Sequence, residues 1–405
     1  MNRSSPIAKP TQRTYAYYRE ALADAELPCA FVDLNRLEAN AREIQRRADG
    51  MQVRVASKSI RSRAVLEHVL SLAEQFEGLL CYSGYEAATL SEYGFDDLVV
   101  AYPVWQPSEV RAVCERLREG ATLVLMVDSV EHVTHLAELA REESVTIPVC
   151  LDIDLSTSHF GLHFGVRRSG VRDPATARHV CDIVAETDGV ALSGVLGYEA
   201  QLAGVPDDSP ANNAVVSAMI RLLKRRSRPR VKRRRRSIVS ALEAAGHDLS
   251  FVNGGGTGTV EFTTSDPSVT EVTVGSGFYA PALFDYYERF QHHPAAGFAL
   301  EVTRKPDPGI YTCRGGGYIA SGPPGEDREP KPWFPADIQF RDEEGAGEVQ
   351  TPITYDGDLS LGDPVIFRHA KAGELCEQFE KLHLLRDGEV SETVPTYRGD
   401  GWNFL

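Results

Sequence analysis

Eight short apolar runs, separated by helix-like segments, constrain this chain more than any other feature. They lie at 53–56, 79–82, 98–101, 122–127, 148–153, 191–196, 249–253 and 271–274. Most are dense in Val, Ile and Leu with little polar alternation, as strands buried on both faces must be. Helical periodicity fills 62–72, 85–92, 107–118, 129–140, 174–186 and the long 212–245. Asp128-Ser129 and Asp173-Pro174 read as helix starts, a capping residue followed by a permissive or Pro first position. The connection at 257–269 is short. Eight strands in β/α alternation, over roughly the 250 residues usual for such a fold, predict an α/β chain built on a (β/α)8 TIM barrel rather than a doubly wound sheet.

Beyond about residue 290 the helical pattern fades. Gly and Pro become dense (Gly315-Gly316-Gly317, Gly322-Pro323-Pro324-Gly325), and alternating runs appear at 298–303, 318–320, 350–353 and 365–368. A second, mostly β domain is expected there. The resulting division is an N-terminal helical segment over 1–27 (an amphipathic helix at 11–26), a barrel over 28–288 and a β domain over 289–405. No apolar run approaches the roughly 20 residues that span a bilayer, and the first residues lack a signal-peptide core. Seven scattered cysteines, several inside apolar runs, read as reduced buried thiols. A cytoplasmic protein with no membrane partner is expected.

In such barrels the chemistry sits at the C-terminal ends of the strands. That rule selects Lys58 after the first strand, and Asp154, His159, His163 and Arg168 after the fifth. It also selects Tyr198 and Glu199 after the sixth, Gly254-Gly255-Gly256-Thr257-Gly258 after the seventh, and Gly275-Ser276-Gly277 after the eighth. Barrels hold phosphate in the loops after strands seven and eight, and Gly-rich backbone presents several N–H donors to one anion. A glycine run alone would mean only a tight turn; two such loops at those strands point to a phosphate site. A lone lysine is usually a solvated one. Across the same mouth from a phosphate site, Lys58 points to a Schiff base with a phosphorylated aldehyde, pyridoxal 5'-phosphate.

The loop Gly254-Gly255-Gly256-Thr257-Gly258, together with Pro28-Cys29-Ala30-Phe31-Val32-Asp33, Asn40, Arg54-Val55-Ala56-Ser57-Lys58-Ser59, Gly84-Tyr85-Glu86-Ala87, Leu151-Asp152-Ile153-Asp154, Arg168-Ser169-Gly170-Val171, Thr270-Glu271 with Gly275 and Gly362-Asp363 leading to His369, resembles the alanine racemase-like (fold type III) pyridoxal phosphate enzymes. Within these the chain is most similar to the amino acid deaminase/aldolase branch of D-threonine aldolase and D-serine dehydratase. The resemblance spans about residues 28–380.

It implies that Lys58 bonds to the cofactor aldehyde and that Arg168 lies on the phenolic-oxygen side. It implies that Gly255, Gly256, Thr257, Gly275, Ser276 and Tyr279 hold the phosphate, and that Tyr198 lines the ring or substrate. Thr273 stands where racemases place an arginine against the ring nitrogen. The aldolase branch carries a His-x-Asp or His-x-Cys metal pair, but here the run is His369-Ala370-Lys371. No metal is therefore expected, with His369 and Cys376 the ligands should a divalent ion bind. The loop 155–164 is an insertion relative to the simpler family pattern, and its two histidines read as exposed.

Residues 221–236 hold 11 Lys/Arg and no acid against a whole-chain net charge of -15, so the remainder is strongly acidic. That argues against nucleic-acid binding and reads as a solvated helix pair broken near Pro229 on the barrel exterior. The expected activity is cleavage of the Cα–Cβ bond of a small D-β-hydroxy amino acid, with Lys58, Tyr198 and His369 as catalytic candidates. The alternatives are dehydratase or racemase chemistry, and a non-catalytic pyridoxal phosphate carrier. The second domain weighs against the carrier, because closing a barrel mouth shapes a substrate pocket. The resemblance also implies a homodimer.

Overall fold

The computed structural model describes residues 13–323 and 325–405, so Thr11 and Gln12 of the expected first helix lie outside the described residues. The chain separates into two compact units. Of the described residues, one comprises 43–277, 286–291 and 402–405; the other comprises 13–42, 278–285 and 292–401.

The first unit is a closed barrel of eight strands, β1 (Gln52–Ala56), β2 (Phe76–Cys81), β3 (Leu98–Val100), β4 (Leu123–Val127), β5 (Ile147–Asp152), β6 (Val190–Gly197), β7 (Phe251–Gly254) and β8 (Glu271–Val274). Neighbours are parallel throughout, and β8 closes onto β1 with Val272 opposite Val53. Every expected strand is present. Val99, Val124, Met126, Cys150, Leu196 and Phe251 pack together as an apolar cluster. A buried polar network stands beside it. Arg54 donates to both oxygens of Glu271 (2.7 and 2.9 Å), and Asn253 Nδ2 donates to Glu271 (2.8 Å) and Thr273 Oγ1 (2.8 Å). Paired in this way, the charges do not carry the penalty of bare burial.

The connecting helices start where capping predicts. Ser129 accepts from His132 N, and Asp173 accepts from Ala175 N and Thr176 N with Pro174 next in the chain. The expected break at Pro229 does not occur. Residues Ala214–Ala244 form one 31-residue helix with Pro229 inside it. Lysines and arginines of this helix grip the barrel loops: Arg230 donates to Ser158 O, Arg234 to Asp154 O and Ser156 O, and Lys232 to Ser265 O. Tertiary bonds along the helix outweigh the single backbone bond that proline forgoes.

The other unit is mostly β. Its main sheet runs Gln339–Phe340, Gln350–Thr354, Ile310–Arg314, Ala296–Asp307, Cys29–Asp33, Lys381–Arg386 and Glu389–Pro395, and Pro364–Arg368 pairs with both Ala296–Asp307 and Lys331–Phe334. Cys29–Asp33 lies between Ala296–Asp307 (antiparallel) and Lys381–Arg386 (parallel). That pairing groups residues 28–42 with the β unit rather than with the barrel where composition placed them. The first helix is short, Tyr15–Ala21, and buries Tyr18 against Phe31, Ala299 and Ile366. Residues 318–320 form no strand; Tyr318 instead packs its ring on Phe298 and Phe379. All seven cysteines are free and buried. No helix of the described residues is long and apolar enough to cross a membrane.

Candidate active site

At the end of β1 the chain turns through Ser57–Ser59, anchored by Ser57 Oγ donating to Leu80 O at 3.1 Å. The turn leaves Lys58 exposed, with Nζ donating to Tyr102 Oη at 2.9 Å. Tyr102 follows β3, and the Arg168 guanidinium lies 5.8 Å from its ring centroid. Burial pushes the Tyr102 phenol up, but the Lys58 ammonium that bonds it and the Arg168 cation outweigh burial and hold it below its ordinary value. Sequence reasoning missed Tyr102. Its signal was positional only, a tyrosine just past the third strand. Arg168 is held near β5 by its neighbour, since Ser169 Oγ donates to Asp152 O at 2.7 Å and accepts from Val171 N. Asp152 itself is pushed up to about 7 by burial and by the nearby Asp128 carboxylate, against the opposing pull of Arg168.

The two glycine loops meet. Gly277 N donates to Thr257 Oγ1 at 2.9 Å, and Ser276 Oγ lies 3.3 Å from Ser59 Oγ, next in the chain to Lys58. Glycine is required at Gly255, which has φ +83° and where a Cβ would fall 2.7 Å from Val272 Cγ2. At Gly275 a Cβ would fall 2.6 Å from Ser59 Oγ. The backbone N–H groups of Gly256, Thr257 and Ser276 have no protein acceptor among the described residues. Tyr198 stands over this loop, with Cε2 3.4 Å from where a Gly256 Cβ would be. Burial and the Glu199 carboxylate push its phenol up to about 12. Lys58, Arg168, Tyr198, Gly255, Gly256, Thr257, Gly275 and Ser276 are thus gathered at one end of the barrel strands.

Tyr279, His369 and Cys376 belong to the β unit, where they form their own cluster. The Tyr279 and His369 rings meet edge-on at 6.3 Å, and Tyr279 hydrogen-bonds Cys376. His369 is buried, and neither ring nitrogen forms a hydrogen bond among the described residues. Burial and the adjacent Arg368 cation push it down to about 3, opposed weakly by the Ala296 carbonyl.

The insertion after β5 folds as a hairpin, Thr157–His159 with Leu162–Phe164. Its His159 is buried rather than exposed, with Nε2 2.9 Å from Ser227 Oγ on the long helix; His163 is half-buried.

The chain belongs to the family described as alanine racemase, N-terminal domain, whose model matches residues 32–281. This is a pyridoxal phosphate-dependent family. Among curated relatives, 3-hydroxy-D-aspartate aldolase of Paracoccus denitrificans is 26% identical over 266 residues, 65% of this chain and 62% of the relative. D-threonine aldolase of an Arthrobacter species is 23% identical over 261 residues, 64% of this chain and 62% of the relative. The chain therefore spans less than two thirds of the length of these relatives. Among solved structures, D-threonine aldolase of Filomicrobium marinum superposes with a TM-score of 0.77 at 19% identity, covering 93% of this chain and 96% of that one. D-threo-3-hydroxyaspartate dehydratase of Delftia sp. HT23 gives 0.75 at 21%, covering 93% and 98%. At these identities the superpositions establish the alanine racemase-like fold.

The barrel residues fit pyridoxal phosphate. Unpaired N–H donors on two joined glycine loops suit a phosphate ester, and an exposed amine one residue from Ser59 suits an aldehyde. The run His369-Ala370-Lys371 puts a lysine where the expected metal pair needs its second ligand. No group of three or more His, Cys, Asp or Glu side chains among the described residues is placed to hold a metal ion. Lys371, at the second position of the expected pair, donates to Ser321 Oγ at 2.6 Å.

Proposed function

We propose that this chain is a pyridoxal phosphate-dependent lyase that cleaves the Cα–Cβ bond of a small D-β-hydroxy amino acid. The observation that carries this reading is the triad of Lys58, Tyr102 and Arg168 on the same barrel end as the two glycine loops. Lys58 would hold the cofactor aldehyde, Arg168 would face its phenolic oxygen, and Gly255, Gly256, Thr257, Gly275 and Ser276 would hold its phosphate. When bound, the cofactor supplies an electron-accepting ring for the electron pair left on Cα.

The chain's own residues handle the protons. Tyr102 Oη accepts from the Lys58 ammonium; as a phenolate it can take that proton, becoming a neutral phenol and leaving a neutral amine, the form able to attack an aldehyde. Once that proton has passed to solvent, the same oxygen, its phenolate form favoured by the Arg168 cation, suits removal of the substrate's β-hydroxyl proton. Tyr198, held near 12, stays protonated and is suited to hydrogen bonding or packing rather than to taking a proton. His369 is assigned a substrate-facing base role from the family pattern alone, and Tyr279 a phosphate contact on the same ground. A soluble, cytoplasmic homodimer completes the reading, checked by scattering mass.

The names of the curated relatives support the aldolase reading, and one of them, a Delftia dehydratase 26% identical over 144 residues, keeps β-elimination as the second. The test is incubation with a panel of D- and L-β-hydroxy amino acids, reading aldehyde, keto acid and enantiomer in parallel. Aldehyde from a D-substrate supports cleavage, keto acid alone moves the assignment to dehydratase, and enantiomer alone moves it to racemase.

A further inference from the structure

Arg235 is the largest fully buried side chain among the described residues, although it lies in the most cationic stretch of the sequence. Its Nη2 donates to Glu199 Oε2 at 2.7 Å and to Gly197 O at 3.2 Å, and its Nη1 donates to Asp266 Oδ2 at 3.2 Å. Arg236 takes the other Asp266 oxygen at 2.9 Å. Glu199 is equally buried. Its Oε2 also accepts the backbone N–H of Gly255 at 3.1 Å, and its Oε1 accepts the Thr263 hydroxyl. A Cβ on Gly254 would sit 3.0 Å from Arg235 Nη2, and one on Gly255 would sit 2.9 Å from Thr263 Oγ1. The network therefore lies packed against the first glycine loop.

A carboxylate one hydrogen bond from an anion cradle is paradoxical, since its charge repels a phosphate ester. Two features resolve this. Glu199 commits the Gly255 N–H and so fixes the first peptide of the loop, leaving the N–H groups of Gly256 and Thr257 as the free donors. Arg235 then neutralises Glu199, while Arg236 balances Asp266, so the network presents two cations and two carboxylates with no net charge.

We propose that Arg235, acting through Glu199, is a positioning residue for the phosphate of the cofactor. This rests on the cofactor reading above. It also gives one member of the 221–236 run a role that neither nucleic-acid binding nor a solvated face supplies. Arg235 touches no reacting atom; it sets the geometry and charge of the loop that does the holding.

The test separates this from a merely structural role. The full chain, freed of co-purified cofactor, is titrated with pyridoxal 5'-phosphate and with pyridoxal, which lacks the ester, by absorbance. Arg235→Met should weaken pyridoxal 5'-phosphate binding by about tenfold or more and pyridoxal by less than about threefold. The double variant R235M/E199Q should recover most of the loss, because the unpaired carboxylate is gone. Equal weakening toward both ligands, or none toward either, overturns the proposal. Should R235M fail to fold, E199Q alone carries the test: a change in affinity confined to the phosphorylated ligand supports the tie, and unchanged binding, or an equal change toward both ligands, overturns it. Wild-type protein that binds neither ligand overturns the cofactor reading itself, and the tie with it.

Discussion

The barrel end and the histidine cluster of the β unit treat buried polar groups in opposite ways. At the barrel, the buried carboxylate of Glu199 accepts from Arg235, Gly255 and Thr263, and in that network only Nε of Arg235 is left without a partner among the described residues. In the β unit, His369 is buried with the Tyr279 ring edge-on and the Arg368 cation beside it, and neither ring nitrogen makes a well-formed hydrogen bond among the described residues. Satisfied networks are rigid and can hold a ligand in register. An unpaired buried imidazole stores a desolvation cost that a proton or a partner would change. The barrel is therefore where binding geometry is built, and the His369 cluster holds a buried imidazole whose protonation opposes the fold.

The strongest way to break that contrast is to remove the barrel's amine. Lys58→Ala should abolish the visible-edge absorbance of the bound cofactor and lower turnover by about a thousandfold or more. An unchanged spectrum would take Lys58 out of the chemistry and leave the glycine loops as a simple anion site. Tyr102→Phe is milder and sharper. It keeps the ring beside Arg168 but removes the oxygen that Lys58 bonds, and turnover should fall by about ten- to a hundredfold with cofactor affinity less affected. If affinity falls as much as turnover, Tyr102 holds the cofactor and moves no proton.

The β unit makes a pH prediction instead. A histidine pushed down to about 3 when folded binds its proton more readily when unfolded, where its value is near 6.5. Its neutral burial is fully tolerated above about pH 6.5, and stability is lost as pH falls from there toward 3, at up to about 1.4 kcal/mol per pH unit. His369→Leu should flatten urea-unfolding stability across that window. A slope that persists undiminished in the variant means that other groups carry the acid sensitivity.

The sequence exposed the barrel far better than the β unit, for a physical reason. Parallel strands buried on both faces announce themselves locally, and the active-site end of a barrel follows from strand order, so Lys58 and both glycine loops could be found by rule. Tyr102 obeyed the same rule but lay in Ala101-Tyr102-Pro103, a stretch with no periodic signal and no motif. Contacts far apart in the chain were illegible. Nothing near Cys29–Asp33 tells that it pairs with Ala296–Asp307, and nothing near His159 tells that Ser227 buries it. The basic run misled because composition counts charges without saying where they point. Arg235 reads like its ten cationic neighbours until the fold turns it inward.

The smallest expected effect concerns metal, and it tests whether the contrast between the two regions is chemical or only structural. A tight divalent site needs three or four protein ligands, and the His369 run offers a histidine followed two residues on by a lysine already engaged with Ser321. Cys376, seven residues beyond His369, is hydrogen-bonded to Tyr279, and burial carries that phenol well above its ordinary value. Chelator treatment of the full chain should therefore change aldehyde release by less than about twofold, and metal content should stay well below one ion per chain. Lys371→Asp supplies the missing carboxylate two residues after the histidine. It should raise zinc or manganese binding in a titration without raising turnover in the unmodified protein's assay. Strong inactivation of the unmodified protein by chelator, reversed by a divalent ion, would show that His369 finds ligands the sequence spacing does not provide, and would move the acid-sensitive cluster from the fold's ledger to the reaction's.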